Sequence, residues 1–260
     1  ANDTSVALAE LIGSSEEGFV QMMNDRAREL GMKNTTFKNA SGLDEEGHLT
    51  TARDIAIMSA ELLRHDLIRE YVTIWMDTLR NGETGLTNTN KLLKSYKGTT
   101  GLKTGTTDGA GKCLSASALR DGMELIAVTM GSPSSDERFA SAKALLDYGF
   151  GHWQILQPKP VAEQLLPVPV HKGVEKQVMI EEAEIPSLLV KRGQSGKVTL
   201  NVNVLPELEA PVAAGQKAGE VEILLDGVCA AKYDLVTSSA VDRINFWVAF
   251  GMLLKSAFSF

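Results

Sequence analysis

The chain has 260 residues, of which 43% are hydrophobic and 23% are charged. This composition excludes a disordered chain, and the length allows about two domains of roughly 100 to 200 residues each. The formal net charge is −7. This acidic balance excludes nucleic acid from the expected partners, because contacts to phosphate groups need clustered Lys and Arg side chains.

The sequence of the first 31 residues predicts helices separated by loops. Asp3 or Thr4 can cap a helix that extends to about Ile12, and Ser14 with Glu17 forms a capping-box pattern at the start of a second helix. The second helix is predicted to end at Leu30, with Gly31 as its stop. Its apolar residues recur near helical spacing and are interpreted as core: Phe19, Met22, Met23, Ala27 and Leu30.

Thr51 and Asp54 predict the start of a third helix. Its apolar stripe is interpreted as packing and contains Ile55, Met58, Leu62 and Leu63.

A three-stranded unit is predicted around residues 101–131. The stretch Gly101–Thr107 contains the triplet Lys103-Thr104-Gly105, and two later apolar runs flank Asp121-Gly122, a strong hairpin signal. Lys103 is therefore expected on a strand beside a meander.

A helix is predicted from Ser134 through Leu146, with its apolar side against the sheet: Phe139, Ala142, Leu145 and Leu146. A sheet flanked by helices indicates the α+β class.

Pro158 and Pro160 break any helix and predict a boundary near residues 152–160. Short β-rich runs follow as far as Val236, with a second hairpin turn at Asp226-Gly227. The Val198–Val204 run alternates apolar and polar residues, which is typical of a strand with one buried face in a small antiparallel sandwich. Three regions result: a first domain at 1–153, a β-rich domain at 154–236 and a tail at 237–260.

The two cysteines, Cys113 and Cys229, fall in different predicted domains without metal-ligand or redox spacing. They are interpreted as buried small hydrophobic residues rather than a disulfide. The four histidines are scattered, so no zinc site is predicted. No metal and no cofactor are expected.

The final residues predict an amphipathic helix. Val241, Ile244, Trp247, Val248 and Leu254 recur on one side, and the apolar stretch Phe246–Leu254 is far shorter than the roughly 20 residues that span a bilayer. A helix lying in the membrane interface is favoured. A terminal helix packed on its own protein and a spanning helix are the alternatives.

Short stretches along nearly the whole chain resemble, in order, the low-molecular-mass serine D-alanyl-D-alanine carboxypeptidases of the peptidase S11 family, which are penicillin-binding proteins. The matching stretches are Asn2–Glu10, Met23–Ala27, Leu30–Thr35, Gly42–Asp44, Thr51–Ala56, Lys103–Asp108 and Asp147–Phe150. The resemblance implies a penicillin-binding, β-lactamase-like α+β domain without its first strands and nucleophile helix, then a small all-β sandwich and an amphipathic tail. It also implies an extended segment within residues 66–90.

One departure concerns the nucleophile. No serine in the chain has a lysine three residues after it, so the family's Ser-x-x-Lys motif is missing. Asn2 resembles the asparagine of the Ser-x-Asn motif, whose serine would precede Ala1. We therefore expect an N-terminally truncated fragment that is inactive alone. No export signal is visible, and a location on the extracytoplasmic face of the bacterial membrane rests on the resemblance.

The resemblance also implies roles for five residues. Lys103 contributes positive potential, Thr104 and Thr106 offer hydroxyls to the substrate carboxylate, Gly105 permits close approach, and Asn2 hydrogen-bonds the peptide amide. The implied partners are the peptidoglycan stem peptide ending in D-Ala-D-Ala, β-lactam antibiotics, and the membrane surface through residues 238–260.

Two other functions are weighed against this one. The first is a non-catalytic, membrane-associated wall-binding or scaffolding protein that has lost its catalytic motifs. The second is a β-lactamase, which is less favoured because the chain has no Glu-x-x-Leu-Asn motif.

Overall fold

The computed structural model describes residues 2–251, and the chain forms two compact units that divide between His152 and Trp153. The first unit is α+β, as the sequence predicts. Its elements in chain order are α1 (Asn2–Gly13), α2 (Glu16–Glu29), α3 (Ala52–Leu62), α4 (Asp66–Val72), β1 (Met76–Leu79), β2 (Thr84–Thr87), α5 (Leu92–Ser95), β3 (Thr99–Thr107), β4 (Gly111–Arg120), β5 (Met123–Ser132) and α6 (Ser135–His152).

The starts of the first two helices differ from prediction. Helix α1 begins at Asn2, so Asp3 and Thr4 lie inside it. The cap of α2 is Ser15, whose hydroxyl accepts a 3.0 Å hydrogen bond from the Gly18 amide. Ser14 instead takes a left-handed φ of 63° where the chain turns between the helices, so the predicted cap at Ser14 is wrong.

Two helix boundaries are confirmed. Helix α2 closes at Leu30, and Gly31 follows with a φ of +75°, a conformation that favours glycine at a helix end. Thr51 caps α3 by accepting from the Asp54 amide. The Asp54 carboxylate is buried and accepts 2.8 Å hydrogen bonds from the Asn34 amide and the Thr35 hydroxyl, which satisfies its charge.

Residues 66–90 are not one extended segment, as the resemblance implied. They form the short helix α4 and an antiparallel hairpin of β1 and β2. Leu62 of the predicted apolar stripe is exposed, and Leu63 of the same stripe is buried.

The predicted meander is confirmed. Strands β3, β4 and β5 form an antiparallel sheet in that order. Asp121 and Gly122 both have positive φ at the turn, as a two-residue hairpin requires.

Helix α6 extends past the predicted end at Leu146 to His152. It buries four apolar residues, Phe139, Ala142, Leu146 and Phe150. Leu145 is exposed, so its predicted place against the sheet is wrong.

The second unit is β-rich. Its strands are β6 (Trp153–Leu156), β7 (Val168–His171), β8 (Gln177–Val178), β9 (Ile180–Glu182), β10 (Leu188–Lys191), β11 (Val198–Val204), β12 (Leu208–Glu209), β13 (Lys217–Leu225) and β14 (Val228–Thr237). They form a four-stranded sheet β11-β13-β14-β9, a three-stranded sheet β12-β7-β8 and the pair β10-β6. Strand β11 alternates between more and less exposed residues, as predicted. The β12–β7 pair is parallel, so the sandwich is not wholly antiparallel.

The core of the second unit includes one residue of the predicted tail. Val241 is 2% exposed, and its backbone exchanges two 2.9 Å hydrogen bonds with Val212. Val241 therefore packs in the β-rich core, and its predicted place on the apolar side of the tail is wrong. The reason is that the chain continues its backbone pairing beyond β14 before any helix begins.

A helix occupies residues 246–251, and Asn245 caps it by accepting from the Val248 amide at 3.0 Å. Ile244, Phe246, Trp247 and Phe250 are exposed. The rest of the predicted amphipathic tail, residues 252–260, lies outside the described residues. Among residues 2–251, no helix has the length and apolar character needed to cross a membrane.

Both cysteines are free, as predicted. Cys113 is partly buried, but Cys229 is exposed at the start of β14, so its predicted burial is wrong.

We expect Val241→Ala to lower the free energy of unfolding of the second unit by roughly 1–3 kcal/mol, because it leaves a cavity in a packed core. The measurement is urea unfolding of the full chain followed by circular dichroism. The matched control is Val228→Ala, at a residue that is 71% exposed. Equal midpoints for both variants would contradict the core assignment.

Candidate functional site

The candidate site is built on an edge strand. Lys103, Thr104, Gly105 and Thr106 are consecutive on β3, which lies at the end of the β3-β4-β5 sheet. An edge strand presents backbone N–H and C=O groups with which an extended ligand can pair. The four predicted residues therefore lie along one open strand edge, although the Thr104 side chain is nearly buried.

Two cationic side chains meet at this strand. Lys103 is exposed, and its ammonium donates to the Thr104 carbonyl. Arg138 of α6 is only 6% exposed, and its guanidinium donates 3.2 Å hydrogen bonds to the carbonyls of Gly105 and Cys113. The pKa of Lys103 is lowered, first by partial loss of hydration around its ammonium and then by repulsion from Arg138.

Sequence reasoning missed Arg138. It falls within the predicted Ser134–Leu146 helix, for which only the apolar side is assigned a role. A basic residue in the first turn of a helix opposes the helix dipole, and this is the signal that could have singled it out.

The two threonines of the site have different surroundings. Thr104 is 9% exposed, and its hydroxyl oxygen lies 2.6 Å from that of Thr89. Thr106 is exposed. Thr106 is therefore open to solvent, whereas Thr104 already has a partner within the chain.

Gly105 has no role in the packing of this chain. A methyl group added there would meet only the Cys113 Cβ, at 4.0 Å. Its φ also lies outside the left-handed region. Neither packing nor backbone conformation requires glycine, so the open space over Gly105 is available to a ligand.

A hydrogen bond from the β3–β4 turn to Asp44 holds the C-terminal end of β3. The Gly109 amide donates a 3.0 Å hydrogen bond to the Asp44 carboxylate. The pKa of Asp44 is lowered by a hydrogen bond from the Thr107 hydroxyl and then by the Gly109 amide. Asp108 and Gly109 lie in a turn. Asp44 thus connects its loop to the β3–β4 turn.

The fifth predicted site residue, Asn2, lies in the first turn of α1 and is exposed. No hydrogen bond joins its side chain to β3 within residues 2–251. Its role remains a prediction.

Within residues 2–251, no cluster of three His, Cys, Asp or Glu side chains could hold a metal ion.

A separate apolar groove of about 410 Å³ lies in the helical part of the first unit. Its lining includes Phe19, Met22, Met23, Ala27 and Leu30, the residues predicted as core of α2. Met22 is exposed, so α2 does not bury its whole apolar face. The groove is almost without polar groups, and none of the predicted site residues lines it.

Comparison with known proteins identifies the family. Residues 1–134 match the family model described as D-alanyl-D-alanine carboxypeptidase, peptidase S11. The chain belongs to the peptidase S11 family. Residues 159–243 match the C-terminal domain of penicillin-binding protein 5, in agreement with the β-rich second unit.

Individual S11 relatives cover most of the chain. It is 39% identical over 249 residues to the D-alanyl-D-alanine carboxypeptidase DacF of Bacillus subtilis, covering 94% of this chain and 64% of the relative. The crystal structure of penicillin-binding protein 5 from Haemophilus influenzae superposes with a TM-score of 0.63 at 32% identity, covering 94% of this chain and 71% of that one. Penicillin-binding protein D2 from Listeria monocytogenes, solved in its cefotaxime-bound form, gives a TM-score of 0.53 at 34% identity, covering 58% of this chain and 61% of that one. The chain spans less than two thirds of the length of curated relatives such as DacF.

We expect the pKa of Lys103 to lie below its ordinary value of 10.5, and to rise in Arg138→Gln because that variant removes the repelling charge. The measurement is an NMR titration of the Lys103 side-chain methylene signals. The control, Lys143→Gln, removes a positive charge from the same helix and is expected to leave the titration unchanged. An unchanged midpoint in Arg138→Gln would contradict the assigned repulsion.

Proposed function

We propose that the protein carrying this chain is a serine D-alanyl-D-alanine carboxypeptidase that removes the terminal D-Ala of peptidoglycan stem peptides. The observation that carries the proposal is the β3 edge of an S11 chain, where Lys103 stands beside the open space over Gly105. An extended peptide can lie along this edge, with its carboxyl end beside the cations. The comparisons give no support to the non-catalytic alternative.

The first chemical step needs a serine that a Ser-x-x-Lys motif would supply. A serine hydroxyl is a weak nucleophile and requires a neighbouring base, a role suited to the lysine of that motif. The serine oxygen attacks the carbonyl carbon of the penultimate D-Ala, and the base takes its proton. The peptide C–N bond then breaks, the proton passes to the leaving amine, and terminal D-Ala departs.

Water completes the reaction. It attacks the acyl-enzyme ester, one of its protons returns to the serine oxygen, and the shortened peptide leaves with a new carboxyl group. The part of this chain is to hold the substrate in position. Asn2 would hydrogen-bond the peptide amide, as the family resemblance implies.

An exopeptidase must recognise the free carboxylate at the end of its substrate. Lys103 and Arg138 are suited to this task, because neither belongs to an ion pair among residues 2–251. Lysines of the second unit provide a contrast, since Lys217 pairs with Asp234 and Lys232 pairs with Glu220. These two cations lie together at β3 without an ion pair, and with the exposed Thr106 hydroxyl they favour an external anion.

The same surface would bind β-lactams. Penicillins and cephalosporins carry a carboxylate and an acyl group that the serine can attack, and the Listeria relative is described in cefotaxime-bound and ampicillin-bound forms. We expect acylation by these drugs to compete with peptide cleavage.

We also propose that the tail attaches the protein to the extracytoplasmic face of the bacterial membrane. Phe246, Trp247 and Phe250 expose aromatic surface beyond the β-rich core. Aromatic side chains on an amphipathic helix bury favourably at the level of the lipid headgroups.

In a protein that carries this chain and a Ser-x-x-Lys motif, Lys103→Ala should slow acylation by about 10²-fold or more. This is the scale for removing one preorganised electrostatic group from a reacting site. The measurement is the rate of labelling by a fluorescent penicillin on a denaturing gel. Lys97→Ala is the matched control, because Lys97 is exposed and lies just before β3.

Acylation of Lys103→Ala within threefold of wild type would contradict the role of Lys103. The 260-residue chain itself, which has no Ser-x-x-Lys motif, should give no labelled band. A labelled band from that chain would contradict the assignment of the nucleophile.

Removing residues 246–260 should abolish co-sedimentation with lipid vesicles and leave the second unit folded. This cut keeps Val241 in its core, whereas a cut at residue 238 would remove it. Trp247 fluorescence should shift to the blue when vesicles are added to the full chain, because the indole enters a less polar environment. Unchanged co-sedimentation of the shortened chain would show that the tail is not the anchor.

A further inference from the structure

We propose that Thr89 is a positioning residue that sets the direction of the Thr104 hydroxyl, so that the Thr104 proton is available to the ligand's carboxylate. This inference rests on the proposed function and deepens it. It starts from the hydroxyl pair in which the two side-chain oxygens lie 2.6 Å apart. Thr89 is exposed, whereas Thr104 is almost buried. Thr89 is therefore the member of the pair that faces solvent.

The pair contains two protons, and their arrangement decides what Thr104 can do. A threonine hydroxyl donates one hydrogen bond and accepts up to two. If Thr104 donates to Thr89, no proton remains for a carboxylate, which only accepts. If Thr89 donates to Thr104, the Thr104 proton is free for the ligand. The second arrangement is therefore the one that binds substrate.

The local charge favours that second arrangement. Lys103 and Arg138 bring positive potential to this part of β3. An anion drawn to it needs hydrogen-bond donors, and its arrival stabilises the orientation in which Thr104 donates. A hydroxyl that accepts one hydrogen bond also becomes a better donor in the next. Thr89 thus strengthens the Thr104 contact without touching the substrate.

Thr89 is held in place by the residues on either side of it. The Asn88 side chain donates to the Ile74 carbonyl and accepts from the Asn90 amide, both at 2.9 Å. Asn90 is fully buried, and its side chain donates a 3.0 Å hydrogen bond to the carbonyl of Gly101, on the same strand as Thr104. The loop is therefore tied directly to β3. Within residues 2–251, the Thr89 hydroxyl has no partner besides Thr104.

The test uses the 260-residue chain and two small probes, N-acetyl-D-Ala-D-Ala and its C-terminal amide. Binding is followed by NMR shifts of the Gly105 and Thr106 amide signals. Thr89→Val keeps the side-chain shape but removes the donor, so affinity for the acid should fall about fivefold to tenfold, the scale of one lost hydrogen bond. Affinity for the amide should fall less, because its neutral carbonyl oxygen accepts a weaker hydrogen bond from Thr104 than a carboxylate does. Thr89→Ser should restore binding of the acid, and Thr87→Val, on the neighbouring exposed strand, should bind like wild type.

The outcomes separate the two proposals. Equal affinity of Thr89→Val and wild type for the acid would overturn the role of Thr89 alone. An equal loss of affinity for acid and amide would also overturn it, because that result indicates a structural defect. If the wild-type chain does not discriminate acid from amide, the carboxylate-binding role of β3 fails and the inference fails with it. Amide spectra of each variant establish that the fold is retained.

Discussion

The register of β3 against β4 is the constraint on which the site depends. It places Lys103 opposite Ser115 and Gly105 opposite Cys113. Side chains alternate between the two faces of a strand, so a shift of one residue would exchange the exposed Lys103 for the buried Thr104. Contacts from several parts of the first unit hold β3 in this register.

A polar network fixes the start of β3. The Thr100 hydroxyl donates to Glu124 at 2.7 Å and lies 2.9 Å from the Ser117 hydroxyl. Arg69 of α4 holds the Glu124 carboxylate with two hydrogen bonds, and these lower the pKa of Glu124. Together with the Asn90 contact and the Asp44 contact, the network fastens β3 along its length. The outer edge of β3 pairs with no strand among residues 2–251.

Arg138 differs from the lysines of the second unit in how its charge is compensated. In the second unit, lysines on β13 and β14 form ion pairs across the sheet surface, and exposed pairs of this kind contribute little to stability. In the first unit, Arg138 is buried, and it forms hydrogen bonds to backbone carbonyls instead of an ion pair. Burying a cation without an anionic partner is costly. The proposed binding of a substrate carboxylate at this surface gives a reason for that cost.

The sequence by itself determined the meander, the turn at Asp121-Gly122, the β-rich second unit and the family, because these follow from local turn chemistry, alternation and short motifs. Tertiary structure decided which serine caps α2 and that Val241 belongs to the core. It also decided that Arg138 and Thr89 lie beside the Lys-Thr-Gly strand. Arg138 is 33 residues from Gly105, and Thr89 is 15 residues from Thr104. Local patterns carry no information about such contacts, because only the packing of α6 and of the Asn88–Asn90 loop against the sheet brings these side chains together.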